Sequence, residues 1–385
     1  MGQRIGHSRT SAQPEAGDRR RGACRLRREK DPSMYAAKTL HSVDALNRIL
    51  DIATAFWKSQ TFFTACQLGV FEALGTAPAT AADLAQRLGL NPLACRRLLL
   101  PLRELGLVEQ EEEEEDRFQN SALGSFCTST STVPLEAVSM WGVGTPFYHM
   151  WEFLPDAIRE LSPRWHQVLG AAPEKAFGAL YADPKRLRRF TEWLDAFGTP
   201  QGQLLADLVD FSTHHCILDV AGGPGSIAIQ IGLKHRHLEG IVMDMAPVCA
   251  IAREHIQGNG LADRFAAVTS DLFAGPYPDG ADVILLASIL HDWNDPECQV
   301  ILRNCFGALP HGGVMLVVEK VLNEDYSGAR MDDLMQDLHM LLVSRPGARE
   351  RTETEYASLL QTAGFVGVEV QRLAAPRDLI LARKT

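Results

Sequence analysis

An α/β domain, a parallel sheet covered by helices on both faces, is predicted for the C-terminal part of this 385-residue chain, behind a mostly helical N-terminal part. Three observations predict it. Short apolar runs alternate with helical segments after about residue 212. The first of these runs leads into a cluster of glycines, "ILDVAGGPGS", Ile217 to Ser226. Upstream, from about Asp44, apolar residues recur at three- and four-residue spacing.

Composition narrows the function classes. Hydrophobic residues make up 46% of the chain, enough for a real core, and the formal net charge is −10. An acidic chain is poorly suited to phosphate backbones or anionic membranes, so no nucleic acid and no membrane partner is expected. No apolar run approaches the roughly 18–20 residues that span a bilayer. The cysteines Cys24, Cys66, Cys95, Cys127, Cys216, Cys249, Cys298 and Cys305 are scattered, with no CxxC pair. They read as reduced, mostly buried thiols of a cytoplasmic protein.

The elements follow in order. Residues 1–33 include "RTSAQPEAGDRRRGACRLRREKDPS", basic and without apolar periodicity, and are expected to be a disordered basic tail or an upstream extension with Met34 as the alternative start. Glu15, Asp18, Glu29 and Asp31 argue against a targeting presequence. Residues 34–125 read as a winged-helix-like domain. Thr80 caps one helix, Gly89 ends it, Asn91-Pro92 starts the next, and "LVEQEEEEEDRFQNS" supplies the wing. Glu109, Glu111 to Glu115 and Asp116 stand where a DNA-binding wing offers cations, and Leu98, Leu99, Leu100, Leu102 and Leu105 dominate the second helix. A packing or dimer-forming role is therefore expected. Residues 126–211 read as a helical linker, with "MWGVGTPFYHMWEFLPDAI" as core or as the lining of a pocket for a flat apolar ligand. Residues 212–385 carry strands at Cys216–Val220, 240–243, 266–268, 283–286 and 314–318, with a last strand in "RDLILARK".

The glycine turn between strand and helix suits a nucleotide-like cofactor. It lacks the GK[ST] ending of a phosphate-binding loop and the third glycine of a dinucleotide fingerprint. "DVAGGPG", with Asp219, Gly222, Gly223 and Gly225, fits S-adenosylmethionine best. Asp244, at the end of the next strand, can accept hydrogen bonds from both ribose hydroxyls. Asp271 in "SDLF" can receive an adenine amino group, with Leu272 and Phe273 against the ring. After the fourth strand comes "LLASILHDWND". A histidine base needs a neighbour that fixes its tautomer and stabilises its cation. Beside His291, the candidates are Glu319, after the fifth strand, and Glu350, in "PGARERT".

Together "DVAGGPGS", "MDM", "SDLF", "ILHDWND", "LPHGGVMLVVEKVL" and "GARERTETEYASLLQTAGF" resemble the small-molecule O-methyltransferases of the acetylserotonin, plant caffeic-acid and bacterial pigment and polyketide type. The resemblance runs from about Asp44 to the C-terminus. It implies a winged-helix-like dimerisation domain, a Rossmann-like methyltransferase domain, a homodimer and a small-molecule substrate. It implies S-adenosylmethionine as cofactor, S-adenosylhomocysteine as product, and no metal. His291 would be the general base, flanked by Glu319 and Glu350. Met245 and Ser288 would join the cofactor residues. Trp141, Phe147, Met150, Trp151, Asp292, Met335, His339 and Met340 would face the acceptor, with simple packing, or a metal shared with His291, as the alternatives for His339. Plant members carry a Lys-Trp pair where this chain has Ala287 and Ser288. The accepting atom is expected to be a phenol or enol oxygen. Carbon or sulfur methylation, and a non-catalytic S-adenosylmethionine-binding regulator, are the alternatives.

Overall fold

The computed structural model describes residues 32–111, 116–129, 131, 141–142, 145–172, 175–325 and 330–385, with 32–41 as backbone. The expected basic tail, up to residue 31, and the acidic wing tip at 112–115 lie outside the described residues.

Helix α1 (Pro32–Ala53) belongs to a unit of its own. It starts well before Asp44, where apolar periodicity begins. Pro32 suits a first turn, whose N–H has no partner to lose, and Ala36, Ala37, Lys38 and Leu40 are good helix formers. Val43, Leu46, Ile49 and Leu50 are exposed on it.

The second unit opens with α2 (Ala55–Gln67), α3 (Val70–Thr76), β1 (Ala79–Thr80), α4 (Ala81–Leu88), α5 (Pro92–Glu104), β2 (Val108–Gln110) and β3 (Arg117–Asn120). The strands form a small sheet in the order β1-β3-β2, the wing. The sequence signals act as expected. Thr80 Oγ1 accepts the Asp83 N–H at 3.1 Å, and Asn91 Oδ1 accepts those of Leu93 and Ala94. Gly89 closes α4 in the left-handed region. Leu99 and Leu102 are fully buried, so α5 is a packing helix. Then follow α6 (Pro146–Met150), α7 (Leu154–Glu160), α8 (Trp165–Leu169), α9 (Ala176–Tyr181) and the long α10 (Pro184–Leu208).

The remainder alternates: β4 (Cys216–Val220), α11 (Ser226–Lys234), β5 (Glu239–Asp244), α12 (Ala246–Gly258), β6 (Phe265–Thr269), β7 (Val283–Ala287), α13 (Asp295–Ala308), β8 (Val314–Glu319), β9 (Val321–Leu322), α14 (Met331–Val343), β10 (Arg351–Thr352), α15 (Glu353–Thr362), β11 (Val366–Gln371) and β12 (Asp378–Arg383). The large sheet has the order β11-β12-β8-β7-β4-β5-β6. Leu218, Ile284, Leu286, Met315 and Val317 enter one apolar core; Ile217, Val283, Leu285, Leu316 and Val318 enter the other. Successive residues of a strand face opposite ways, so a strand buried on both faces is apolar at nearly every position; Asp219 in β4 and Glu319 at the end of β8 are the exceptions.

The sheet corrects the all-parallel expectation. β12 runs antiparallel to β8, and β11 antiparallel to β12. β11 is an edge strand with period-two alternation in "VGVEVQ", too polar to stand out as a buried run. The short parallel pair β9–β10 was also not anticipated, because two-residue strands have no sequence signature.

Between α10 and α11 the backbones nearly touch: a Cβ on Gly202 would lie 2.8 Å from the Ile227 Cα. Gly202→Ala should therefore destabilise the fold by about 1–3 kcal/mol through overpacking. Denaturant unfolding checks this; an unchanged midpoint would mean the helices separate freely.

Candidate active site

The carboxyl ends of β4 to β8 share one edge of the sheet, and the strand order reverses between β4 and β7. Ligands bind at such a reversal. Here it opens into a cavity of about 1340 Å³. That exceeds the roughly 300–1,000 Å³ of an ordinary ligand pocket, so two ligands fit side by side.

The glycine turn builds one end. A Cβ on Gly222 would lie 2.4 Å from the Asp219 carboxyl carbon, so only glycine fits above that buried acid. Gly223 takes φ +59° and Gly225 φ +81°. The Gly223 N–H donates to Asp244 Oδ2 at 2.8 Å and the Met245 N–H to Oδ1 at 2.6 Å. Burial pushes the Asp244 carboxyl up to about 6. Burial, then the Asp244 charge, pushes that of Asp219 up to about 7. Asp271 Oδ1 accepts the Phe273 N–H at 2.8 Å, and Phe273 meets Trp293 edge to face at 4.7 Å. Asp219, Gly222, Gly223, Asp244, Met245, Asp271, Leu272, Phe273 and Ser288 all line the cavity. Gly225 stands behind the wall, where a Cβ would meet Val242 at 2.8 Å. Ala221 (φ +54°) and Ser288 (φ +58°) are non-glycine residues in the left-handed region, both at this wall.

His291, Glu319 and Glu350 are buried and do not themselves line the cavity; Ile289 and Asp292, on the turn that carries His291, do. His291 Nδ1 is 2.9 Å from Glu350 Oε1 and 3.6 Å from Glu319 Oε2. Glu319 Oε1 accepts the N–H groups of Ile289 and Leu290 at 2.8 and 2.7 Å. Burial alone would lower the pKa of His291, but Glu319 and Glu350 outweigh it and hold it at about 9. Burial raises that of Glu319, with the His291 charge opposing. The three side chains offer ligand atoms within 4.8 Å of one another. Asp292 borders the cavity and accepts the Ser344 hydroxyl at 2.6 Å.

The other residues assigned to the acceptor do not line this cavity. Trp141, Phe147, Met150, Trp151 and Met340 form an apolar cluster with Phe190 and Trp193. His339 is inside it, its ring centroid 4.6 Å from that of Trp141 and nearly parallel to Trp151. Burial, then the His291 charge, pushes its pKa down to about 3, so it is neutral, and its Nδ1 has no partner. Met335 is 42% exposed. The cavity wall in front of this cluster is made by Phe177, Tyr181, Phe190 and Trp193 on α9 and α10. The spacing of Phe190, Trp193 and Phe197 in "FTEWLDAFG" is a helical-face signal for that wall. Arg377, which also lines it, had none.

The fold and the site define an O-methyltransferase with its own dimerisation domain. The family model of the O-methyltransferase domain matches residues 151–366 and that of the O-methyltransferase dimerisation domain residues 50–130, and the chain belongs to this family. It is 34% identical over 336 residues to 3-hydroxy-5-methyl-1-naphthoate 3-O-methyltransferase of Streptomyces sahachiroi, covering 85% of this chain and 92% of that protein. It is 32% identical over 344 residues to mouse (Mus musculus) acetylserotonin O-methyltransferase, covering 87% and 88%. The crystal structure of human N-acetylserotonin methyltransferase in complex with S-adenosylmethionine superposes with a TM-score of 0.82 at 28% identity, covering 93% of this chain and 99% of that one. The protein is thus an S-adenosylmethionine-dependent O-methyltransferase, not a regulator. The residues fit that cofactor: two carboxylates at strand ends, a side-chain-free turn, and an aromatic wall. No helix among the described residues is long and apolar enough to cross a membrane.

The raised Asp219 value has a measurable consequence. Its folded value of about 7 lies above the ordinary 3.8. Ionisation therefore opposes folding, and stability falls as pH rises through that window. Asp219→Asn should leave the ligand-free melting temperature at pH 8 no lower than wild type, while S-adenosylhomocysteine binding by calorimetry weakens at least tenfold. A lower melting temperature would make Asp219 a structural residue.

Proposed function

We propose that the enzyme methylates a phenolic or enolic hydroxyl of a small, flat, apolar metabolite, with His291 as general base. The 2.9 Å contact between His291 Nδ1 and Glu350 carries this reading. With the Nδ1 proton held by Glu350, Nε2 is the nitrogen left to take a proton from the acceptor. Bound S-adenosylmethionine supplies an electrophilic methyl group on a cationic sulfur. Glu319 and Glu350 stabilise the imidazolium that proton transfer creates. Phe177, Tyr181, Phe190 and Trp193 would flank a flat ring and exclude water. Trp141, Phe147, Met150, Trp151, His339 and Met340 would stiffen that wall from behind. The name of the Streptomyces relative, a hydroxynaphthoate O-methyltransferase, supports an aromatic acceptor. The dimerisation domain supports a homodimer. The three groups of the His291 cluster are close enough for a metal, but their hydrogen bonds already use the imidazole Nδ1 and one Glu319 oxygen. Activity should survive dialysis against a chelator.

His291→Ala should lower kcat by roughly 10²–10⁴-fold while S-adenosylhomocysteine affinity stays within twofold. Equal loss of both would assign His291 to the fold.

The pH profile gives a second check. With His291 at about 9 in the free enzyme, kcat/KM should climb with pH and bend near that value. Glu350→Gln removes one raising charge, so the bend should move to lower pH and the plateau should fall less than in His291→Ala. An unmoved bend would detach Glu350 from the base. The stability trend of His291 has the same direction as that of Asp219, since both folded values are raised. The folded value lies above the ordinary 6.5, so the stabilisation is complete below pH 6.5 and is lost as pH rises through about 9.

A further inference from the structure

α10 meets the first turn of α11 at two glycines four residues apart. A Cβ on Gly198 would come 2.9 Å from the Ser226 Cβ, and one on Gly202 2.8 Å from the Ile227 Cα. Positions 198, 201 and 202 share one face of a helix, so Gln201 belongs to the stripe that meets α11. Gln201 is 5% exposed, and its Nε2 has no hydrogen-bond partner. It lines the cavity together with Gly222, Gly223, Ser226 and Ile227. A buried amide donor left unpaired is costly, so native structures rarely keep one without a ligand or water to fill it.

What fills it follows from the surroundings. Gly225, the residue before α11, makes no side-chain cap. The first amides of a helix favour an anion. The Ser226 hydroxyl is committed to Asp195 at 2.5 Å, so it does not take that role. Asp219 lines the same end of the cavity and offers an acceptor. A helix start with an amide donor, facing a carboxylate, complements a zwitterion with its carboxylate toward Gln201 and its ammonium toward Asp219. We infer that Gln201 Nε2 is a binding donor for the carboxylate at the amino-acid end of S-adenosylmethionine. The inference rests on the cofactor dependence shown by the family and not on the role of His291.

The test is calorimetric binding of S-adenosylhomocysteine and of its decarboxylated analogue, S-adenosyl-3-thiopropylamine, to the full-length wild type, Gln201→Leu and Gln201→Glu. A hydrogen bond to a charged group corresponds to roughly ten- to a hundredfold in affinity. Gln201→Leu should weaken S-adenosylhomocysteine by that factor and the analogue by less than threefold. Gln201→Glu is nearly isosteric and sets a carboxylate against a carboxylate. It should weaken S-adenosylhomocysteine further and spare the analogue, and it carries the test alone if the leucine variant does not fold. Loss of both ligands by the same factor, or no loss of S-adenosylhomocysteine, overturns the assignment.

Discussion

The fully buried carboxylate of Glu319 is the constraint on which the site depends. A buried carboxylate costs several kcal/mol unless hydrogen bonds and a counter-charge compensate it. Here one oxygen takes the amides of Ile289 and Leu290, and the other faces His291 Nδ1 at 3.6 Å. The turn that carries His291 is therefore tied by its N–H groups to the end of β8. Its carbonyls are tied from the opposite side. Arg351, also fully buried, donates to the Leu290 and Trp293 oxygens at 2.8 and 2.7 Å. An anion holds the donors of one short turn and a cation holds its acceptors, which leaves the imidazole little freedom.

That arrangement needs Glu350 and Arg351 delivered from far along the chain. The pairing of Arg351 with Val321 and of Thr352 with Leu322 does this. Farther out, Lys320 is paired to Asp332 and Asp333 at 2.6 and 2.8 Å. These bonds anchor the start of α14, the helix that carries His339 into the aromatic cluster.

The glycine-turn end of the cavity follows a different logic. Asp219 is buried and Asp244 half-buried near it, and both carboxyls are pushed up. Such charge opposes folding and suits a site that receives a cation. The Gly198 and Gly202 contacts fix α10 against the helix start there, so the aromatic wall on α9 and α10 and the glycine turn belong to one packed body. Wall and turn cannot shift independently without separating those backbones.

Much of this was legible in the sequence. Two-sided burial makes β4, β7 and β8 continuous apolar runs, and the cap residues Thr80, Gly89 and Asn91 act through neighbours three or four positions away. Asp219, Asp244 and Asp271 were readable because each stands at or just past the carboxyl end of its own strand, and the strands end on one edge. β11 was missed because an exposed edge alternates weakly, and β9 and β10 because two residues carry no period.

The sequence by itself determined the α/β class, the glycine turn and the residues at the strand ends, since all of these depend on local periodicity and backbone freedom. Only the tertiary structure decided which aromatic residues face the cavity. It put Phe190 and Trp193 in front and Trp141, Phe147 and His339 behind, although both groups are equally apolar in sequence. Apolar side chains gain the same burial free energy in a core as in a wall, so their pattern does not tell one from the other; the angle of α10, set by its close contact with α11, does.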